Sequence, residues 1–251
     1  MVSPAIDTHD LTRRYGDTVA VDRLTLTVPR GEIFGFLGHN GAGKTTTINL
    51  LTTLILPTSG TALVCGLDIM RDNFAVRQRI GYVPENVRLY NDLTVAENLA
   101  FFAALSGVTD IEMRITEVLT LFDRLEWRNR RVGSFSKGMR QRIGIAQALL
   151  HHPEVLFLDE PSSGLDPEGA REMDEIMIRL NREFEITLFI NTHQLSQVTK
   201  LCTSIGIMNH GRLMIADTLD NIMAQFANDR SLEDIYLHFE RSEMAQGKAL
   251  A

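Results

Sequence analysis

Two short stretches carry the residue types that phosphate chemistry needs. The first is GHNGAGKTT: Gly38, His39, Asn40, Gly41, Ala42, Gly43, Lys44, Thr45 and Thr46. It satisfies the pattern GxxxxGK(S/T) and lies between an apolar strand-like run and a helix-like segment, the context that pattern requires. Its glycines let backbone N–H groups curl around β- and γ-phosphates, and the helix start adds partial positive charge directed at them. Lys44 can bridge phosphate oxygens as a point charge, and the Thr45 hydroxyl can ligate Mg²⁺. The second stretch is VLFLDE, Val155 to Glu160, an apolar run ending in two acids. Strand ends of this kind are where α/β sheets place ligand-binding groups, so Asp159 is expected to hold Mg²⁺ directly or through water. Glu160, one residue further, is placed to polarise an attacking water as general base.

The elements that must position these groups are legible as an alternation. EIFGFLG is a nearly continuous apolar strand, as in a parallel sheet buried on both faces, and it runs straight into the glycine-rich turn. A helix is expected near Thr45 to Thr53, ended by PTSG at Pro57 to Gly60. Ahead of it, VAVDRLTLTV from Val19 to Val28 alternates apolar and polar residues and reads as half-buried antiparallel strands. Between Leu93 and about Leu150 the pattern turns helical, opened by Thr94 and Glu97 in capping-box spacing. Strand and helix then alternate again through VLFLDE, PEGAREMDEIMIRL, TLFINTH and QLSQVTKLC. SIGIMNHGRLMIAD reads as a hairpin turning at Asn209 to Gly211, and Ser231 to Phe239 as a capped amphipathic helix before a mobile tail.

The expected fold is therefore α/β: a doubly wound core with an antiparallel β subdomain and an inserted α-helical subdomain, and with its phosphate loop that core resembles the P-loop NTPase (RecA-like) fold. The core is expected over residues 1–88 and 152–220 and the helical insertion over 89–151. Together they make a cassette of residues 1–230, followed by the helix and tail of 231–251.

Composition narrows the function classes. The chain has 251 residues, 44% of them hydrophobic, enough for one large domain or a core with an inserted subdomain. No apolar run approaches the ~18 to 20 residues of a membrane-spanning helix, and MVSPAIDTHD lacks the basic flank and apolar core of a signal peptide. A cytoplasmic location is expected. Cys65 and Cys202 lie far apart in apolar surroundings and read as buried thiols. A net charge of -7 argues against nucleic acid as a partner, and the run Arg128 to Arg131 reads as a solvated loop. His151 and His152 read as a cationic helix end favoured by the macrodipole.

With the phosphate loop and the paired acids in place, the sequence resembles the nucleotide-binding subunits of ABC transporters over nearly its whole length, most closely those serving ABC-2 type exporters. FSKGMRQR, Phe135 to Arg142, is similar to the family's signature loop, which contacts ATP held by the other subunit of a head-to-tail dimer. The resemblance implies that Ser136 supplies a hydroxyl and Gly138 a close backbone approach. The common form is LSGGQ, so Lys137 and Met139 depart from it; Lys137 either adds a charge near the γ-phosphate or points to solvent. Alone, the segment would be an ordinary helix N-cap. SSGLDP resembles the D-loop, with Asp166 at the dimer seam, and would also make a turn before a helix. His193 matches the switch histidine, which holds γ-phosphate and water geometry, and Tyr15 matches the aromatic that stacks on adenine.

What the resemblance implies is an ATP-binding and ATP-hydrolysing subunit, using Mg²⁺ and a second cassette of identical sequence to drive a separate transmembrane permease from the cytoplasmic face of the membrane. Two other classes compete. One is a soluble ABC ATPase acting on nucleic acid or ribosomes, a group that usually carries tandem cassettes. The other is a noncatalytic nucleotide-binding module, which intact Lys44, Asp159, Glu160 and His193 argue against.

GYVPEN, at Gly81 to Asn86, departs once more. The family ordinarily carries glutamine where Glu85 stands, and an ionised carboxylate has only acceptors where an amide has both kinds of group. Glu85 is expected to be a metal-facing sensor, with VRLYNDLT beyond it forming part of the permease-docking groove. The alternative is a solvent-facing loop acid.

Overall fold

The structure is a computed structural model that describes residues 3–226 and 231–247, with side chains through Phe239. Two sheets organise it. The smaller, antiparallel sheet is built from β1 (Ile6–Tyr15), β2 (Thr18–Val28), β4 (Ser59–Val64) and β5 (Leu67–Asp68), in the order β2-β1-β4-β5. The larger contains β3 (Ile33–Leu37), β6 (Ile80–Val83), β7 (Val155–Asp159), β8 (Thr187–Asn191), β9 (Ser204–Asn209) and β10 (Arg212–Thr218), in the order β10-β9-β3-β8-β7-β6. All of its pairings are parallel except the β9–β10 hairpin, as expected for an α/β sheet with one antiparallel edge.

The central strands are apolar on both faces because both are covered. On one face Phe34, Phe36, Phe157 and Phe189 meet, with the Phe189 ring 5.3 Å from Phe34, 5.2 Å from Phe36 and 5.5 Å from Phe157. These rings join the core shared with α1 (Lys44–Leu51) and the antiparallel sheet. On the other face Leu156, Leu158, Leu188 and Ile190 pack with side chains from the helices α3 (Val95–Leu105), α4 (Ile111–Leu121) and α5 (Lys137–Ala148), which fall between β6 and β7 in the chain. The short α2 (Asn73–Arg79) precedes β6. The helices α6 (Pro167–Phe184) and α7 (Leu195–Leu201) alternate with β7, β8 and β9, and α8 (Leu219–Gln225) and α9 (Leu232–Gly247) follow the hairpin. The capping box that opens α3 is present: Glu97 N donates to Thr94 Oγ1 at 3.2 Å, and Thr94 N donates to Glu97 Oε2 at 2.7 Å.

Three expectations need correction. Val19 to Val28 lies within a single strand, β2, whose partner is β1, a strand that periodicity did not reveal. Its pairing with β2 shifts register three times and Asp10 takes φ 50, so the two-residue alternation is broken. The last long helix continues past Phe239 to Gly247, and the end of the expected mobile tail, residues 248–251, lies outside the described residues.

The third concerns His151. Helix α5 stops at Ala148, and the His151 ring turns inward so that Nε2 donates to the Ile80 carbonyl at 2.8 Å. Burial, aided by Arg114, holds its pKa below 6.5 in spite of that carbonyl, and burial together with Arg114 also lowers His152. His151 is a neutral packing group and not a cationic helix end. Because its folded-state pKa is depressed, the unfolded chain binds the proton more readily below pH 6.5. The stability it contributes is present above that pH and lost as pH falls. Urea denaturation is expected to show stability declining below pH 6.5, and His151→Gln, which keeps a donor for Ile80, to flatten that decline.

Candidate active site

Strand β3 delivers the chain to Gly38, and the loop from there to Gly43 opens α1. The loop fits only without side chains at two points. Gly43 has φ 104, and a Cβ there would meet the Ala20 carbonyl oxygen of β2 at 2.2 Å; one at Gly38 would meet the Met208 carbonyl oxygen of β9 at 2.4 Å. The phosphate loop is thus seated between the two sheets, and Gly211 N donating to Ala42 O at 2.9 Å ties it to the β9–β10 turn. His39 adds another tie through Nε2 and Asn209 Oδ1, 2.9 Å apart. Asn40 and Gly41 form the exposed crest, Thr45 is exposed in the first turn of α1 and Thr46 is half-buried.

Lys44 folds back over this loop, its Nζ donating to the carbonyls of Gly38 at 2.6 Å and His39 at 3.0 Å. Burial lowers its pKa, while the charges of Glu160 and Asp159 oppose that shift. Those two acids end β7. Asp159 is 7% exposed and accepts a hydrogen bond from Asn191 Nδ2 at the end of β8. Burial raises its pKa, and Glu160 and Glu85 add to the rise while Asn191 and Lys44 counter it.

Glu160 leaves the strand with φ 49, held by its N–H donating to Asn191 O at 2.8 Å. The turn points its carboxylate at His193, with Oε1 2.7 Å from Nδ1. The second oxygen, Oε2, is buried and has no hydrogen-bond partner. A carboxylate with one oxygen engaged by an imidazole and the other unsatisfied can accept a proton from water placed beside it.

The family described as ABC transporter matches residues 21–163, more than half of the chain. The chain belongs to the ABC transporter family. The bacitracin transport ATP-binding protein BcrA of Bacillus licheniformis is 41% identical over 249 residues, 99% of this chain and 78% of that protein. The daunorubicin resistance ATP-binding protein DrrA3 of Streptomyces coeruleorubidus is 38% identical over 92% of this chain and 73% of that protein. Among solved structures, an ATP binding subunit of an ABC transporter superposes with a TM-score of 0.82 at 32% identity, covering 93% of this chain and 98% of that one. An ABC ATP-binding subunit is an ATPase coupled to transport, and the cleft just described is where this cassette would carry that reaction.

The rest of the expected site in this ABC cassette is arranged in three places. Tyr15 ends β1 with its ring 47% exposed, and the Arg13 guanidinium sits 4.6 Å from the ring centroid. Ser136 caps α5, its Oγ accepting from Met139 N at 3.3 Å, which leaves its own O–H available as a donor. Asp166 caps α6, its Oδ1 accepting from Gly169 N at 2.7 Å. Ser136, Lys137, Gly138 and Asp166 line one groove of about 570 Å³, separate from the residues around Lys44. Glu85 lies with the acids: its Oε1 accepts from Ser163 Oγ at 3.3 Å, and its charge is felt at Asp159.

Two supporting residues were not singled out by sequence. Asn191 fixes Asp159 through its side chain and Glu160 through its carbonyl. Gln197 donates from Nε2 to Ser162 Oγ at 2.8 Å and to Asp174 Oδ1 at 3.0 Å, tying α7 to the loop after Glu160. A polar Asn closing the apolar run TLFI, two residues before His193, was a usable signal for the first; nothing local marks the second.

Proposed function

We propose that this ABC cassette is the ATP-hydrolysing subunit of an ABC-2 type exporter, working as a head-to-tail pair of identical chains beneath a separate transmembrane permease. The observation that carries the reading is the Glu160–His193 pair at the mouth of the Lys44 loop, while Ser136 and Gly138 open on a different groove. One chain presents two halves that belong to two sites. Relatives named for bacitracin transport and daunorubicin resistance favour export. No helix among the described residues is long and apolar enough to cross a membrane, which fits peripheral attachment at the cytoplasmic face through the permease.

In this reading the N–H groups of Gly38 to Thr46 bind the phosphates, and Lys44 exchanges its loop carbonyls for phosphate oxygens. Tyr15 stacks on the adenine. Glu160 accepts the proton of the attacking water through Oε2, and His193 holds both that carboxylate and the γ-phosphate in register. Across the seam, Ser136 and Gly138 meet the nucleotide of the other cassette and Asp166 shapes the contact.

The residues present suit Mg²⁺. Asp159 is a buried acid with two acidic neighbours, and Glu160 Oε2 lacks a partner, so negative charge there is undercompensated. No group of three or more His, Cys, Asp and Glu among the described residues forms a metal cage by itself, in keeping with a cation held by a few side chains and by substrate phosphates. Thr45, Asp159 and Glu85 would hold it, and when bound it would supply positive charge that offsets the charge of the phosphates.

A second groove, of about 450 Å³, supports the permease part of the reading. It is lined by Val87, Arg88 and Leu89 beyond Glu85, and by Gln141, whose buried Nε2 has no partner and could receive a permease carbonyl. Tyr90 beside it is half exposed, its ring 5.2 Å from that of Phe101. The test is fractionation from native cells. The chain is expected to leave the membrane only with detergent, together with a polypeptide of about six apolar spans that stimulates its phosphate release. Sedimentation with ribosomes and stimulation by RNA would favour the soluble reading instead.

A further inference from the structure

Glu85 and Lys137, two of the side chains that depart from the family's usual residues in their loops, meet each other. Lys137 Nζ lies 4.0 Å from Glu85 Oε1, the same oxygen that accepts from Ser163 Oγ. On its other side the ammonium lies over Gly164, where a Cβ would stand only 3.3 Å from Nζ. One carboxylate oxygen thus gathers the loop after β6, the loop after Glu160 and the start of α5. Lys137 lines both the groove containing Ser136 and Gly138 and the groove containing Arg88 and Gln141. The pair stands between the two grooves.

An isolated pair with side chains 42% and 44% exposed would contribute little to stability. Its place makes it more than that. Glu85 adds negative charge beside Asp159 and Glu160, and Lys137 supplies a counter-charge on a flexible stem that can be redirected. An arriving triphosphate on the opposite cassette offers a stronger acceptor than one carboxylate.

We propose that Glu85 holds Lys137 as a latch in each nucleotide-free cassette, and that closure of the pair transfers the Lys137 ammonium to the γ-phosphate bound by the opposite cassette. This rests on the head-to-tail reading above. ADP has no γ-phosphate to receive the ammonium, so release of the latch favours ATP. Glu85 is then a positioning residue for Lys137, and Lys137 a nucleotide-binding residue that distinguishes the two nucleotides.

The test uses the Glu160→Gln chain, which keeps ATP unhydrolysed, and follows ATP-driven dimerisation by light scattering. Lys137→Ala is expected to raise the half-saturating ATP concentration about tenfold, Lys137→Arg to restore most of the loss, and ADP affinity to stay unchanged in both. With Mg²⁺ saturating, so that the amide oxygen of glutamine still serves the cation, Glu85→Gln is expected to lower the half-saturating concentration about threefold, and to lose that effect when Lys137→Ala is also present. Without nucleotide, amide exchange through residues 136–142 should quicken in Glu85→Gln and in Lys137→Ala alike. Dimerisation indifferent to Lys137→Ala overturns the transfer, and an equal Glu85→Gln effect in both backgrounds overturns the latch. A Glu160→Gln parent that stays monomeric at saturating ATP overturns the head-to-tail dimer itself, a separate and recognisable failure.

Discussion

Replacing Glu160 by glutamine is expected to lower steady-state phosphate release at saturating ATP by about 10²- to 10⁴-fold, the range a positioned general base supplies. Nucleotide affinity should hardly change. The expectation follows from how the side chain is divided: Oε1 is 2.7 Å from His193 Nδ1, and Oε2 is buried without a partner. Glutamine keeps the volume and can still present an oxygen to the imidazole, so the turn at φ 49 and its bond to Asn191 survive. What disappears is the basic oxygen facing the water. The substitution also removes one of the charges that raise the Asp159 pKa, so Asp159 ionises more readily and metal binding is not weakened. Phosphate release measured beside equilibrium nucleotide binding separates the two effects. Wild-type turnover with unchanged binding would place the base elsewhere.

The parts of this site that were legible in sequence are those built from contiguous residues. Gly38 to Thr46 is a single loop whose backbone does the binding, and Val155 to Glu160 is a strand whose end must be where the acids sit. In both, neighbours in sequence are neighbours in space. The supports of these loops were hidden for the opposite reason. Gly43 is required by the Ala20 carbonyl and Gly38 by that of Met208, contacts that no local pattern announces. β1 escaped notice because its bulges break the alternation by which a half-buried strand is recognised. His151 misled because helix propensity does not show where α5 ends, and beyond Ala148 the ring is drawn under Ile80. Glu85 and Lys137 were each recognisable as unusual, yet their meeting depends on how α5 lies against the loop after β6. Separate departures became one interaction only in three dimensions.

The division of the cassette into two half-sites leads to the second large effect. Lys44→Ala removes the point charge that the phosphate loop holds between Gly38 and His39, and a chain carrying it should hydrolyse ATP at least about 10²-fold more slowly. Gly138→Asp should be as damaging for a different reason: it places a carboxylate in the groove where Ser136 would meet a phosphate. Neither change should unfold the chain, since Lys44 bonds only loop carbonyls and an acid in the first turn of α5 is favoured by the helix dipole. Mixing the two purified variants distinguishes a shared site from a self-contained one. In a mixed head-to-tail pair, the intact phosphate loop of the Gly138→Asp chain faces the intact Ser136 and Gly138 of the Lys44→Ala chain, and the other seam carries both defects. One site in two is complete, and half of the pairs are mixed, so equimolar mixing should restore roughly a quarter of the wild-type rate. A mixture no faster than the two variants measured separately would mean that Ser136 and Lys44 serve the same chain's nucleotide. Restored turnover can arise only if the groove beside Asp166 completes the cleft of another copy, because neither chain alone holds an intact pair of halves.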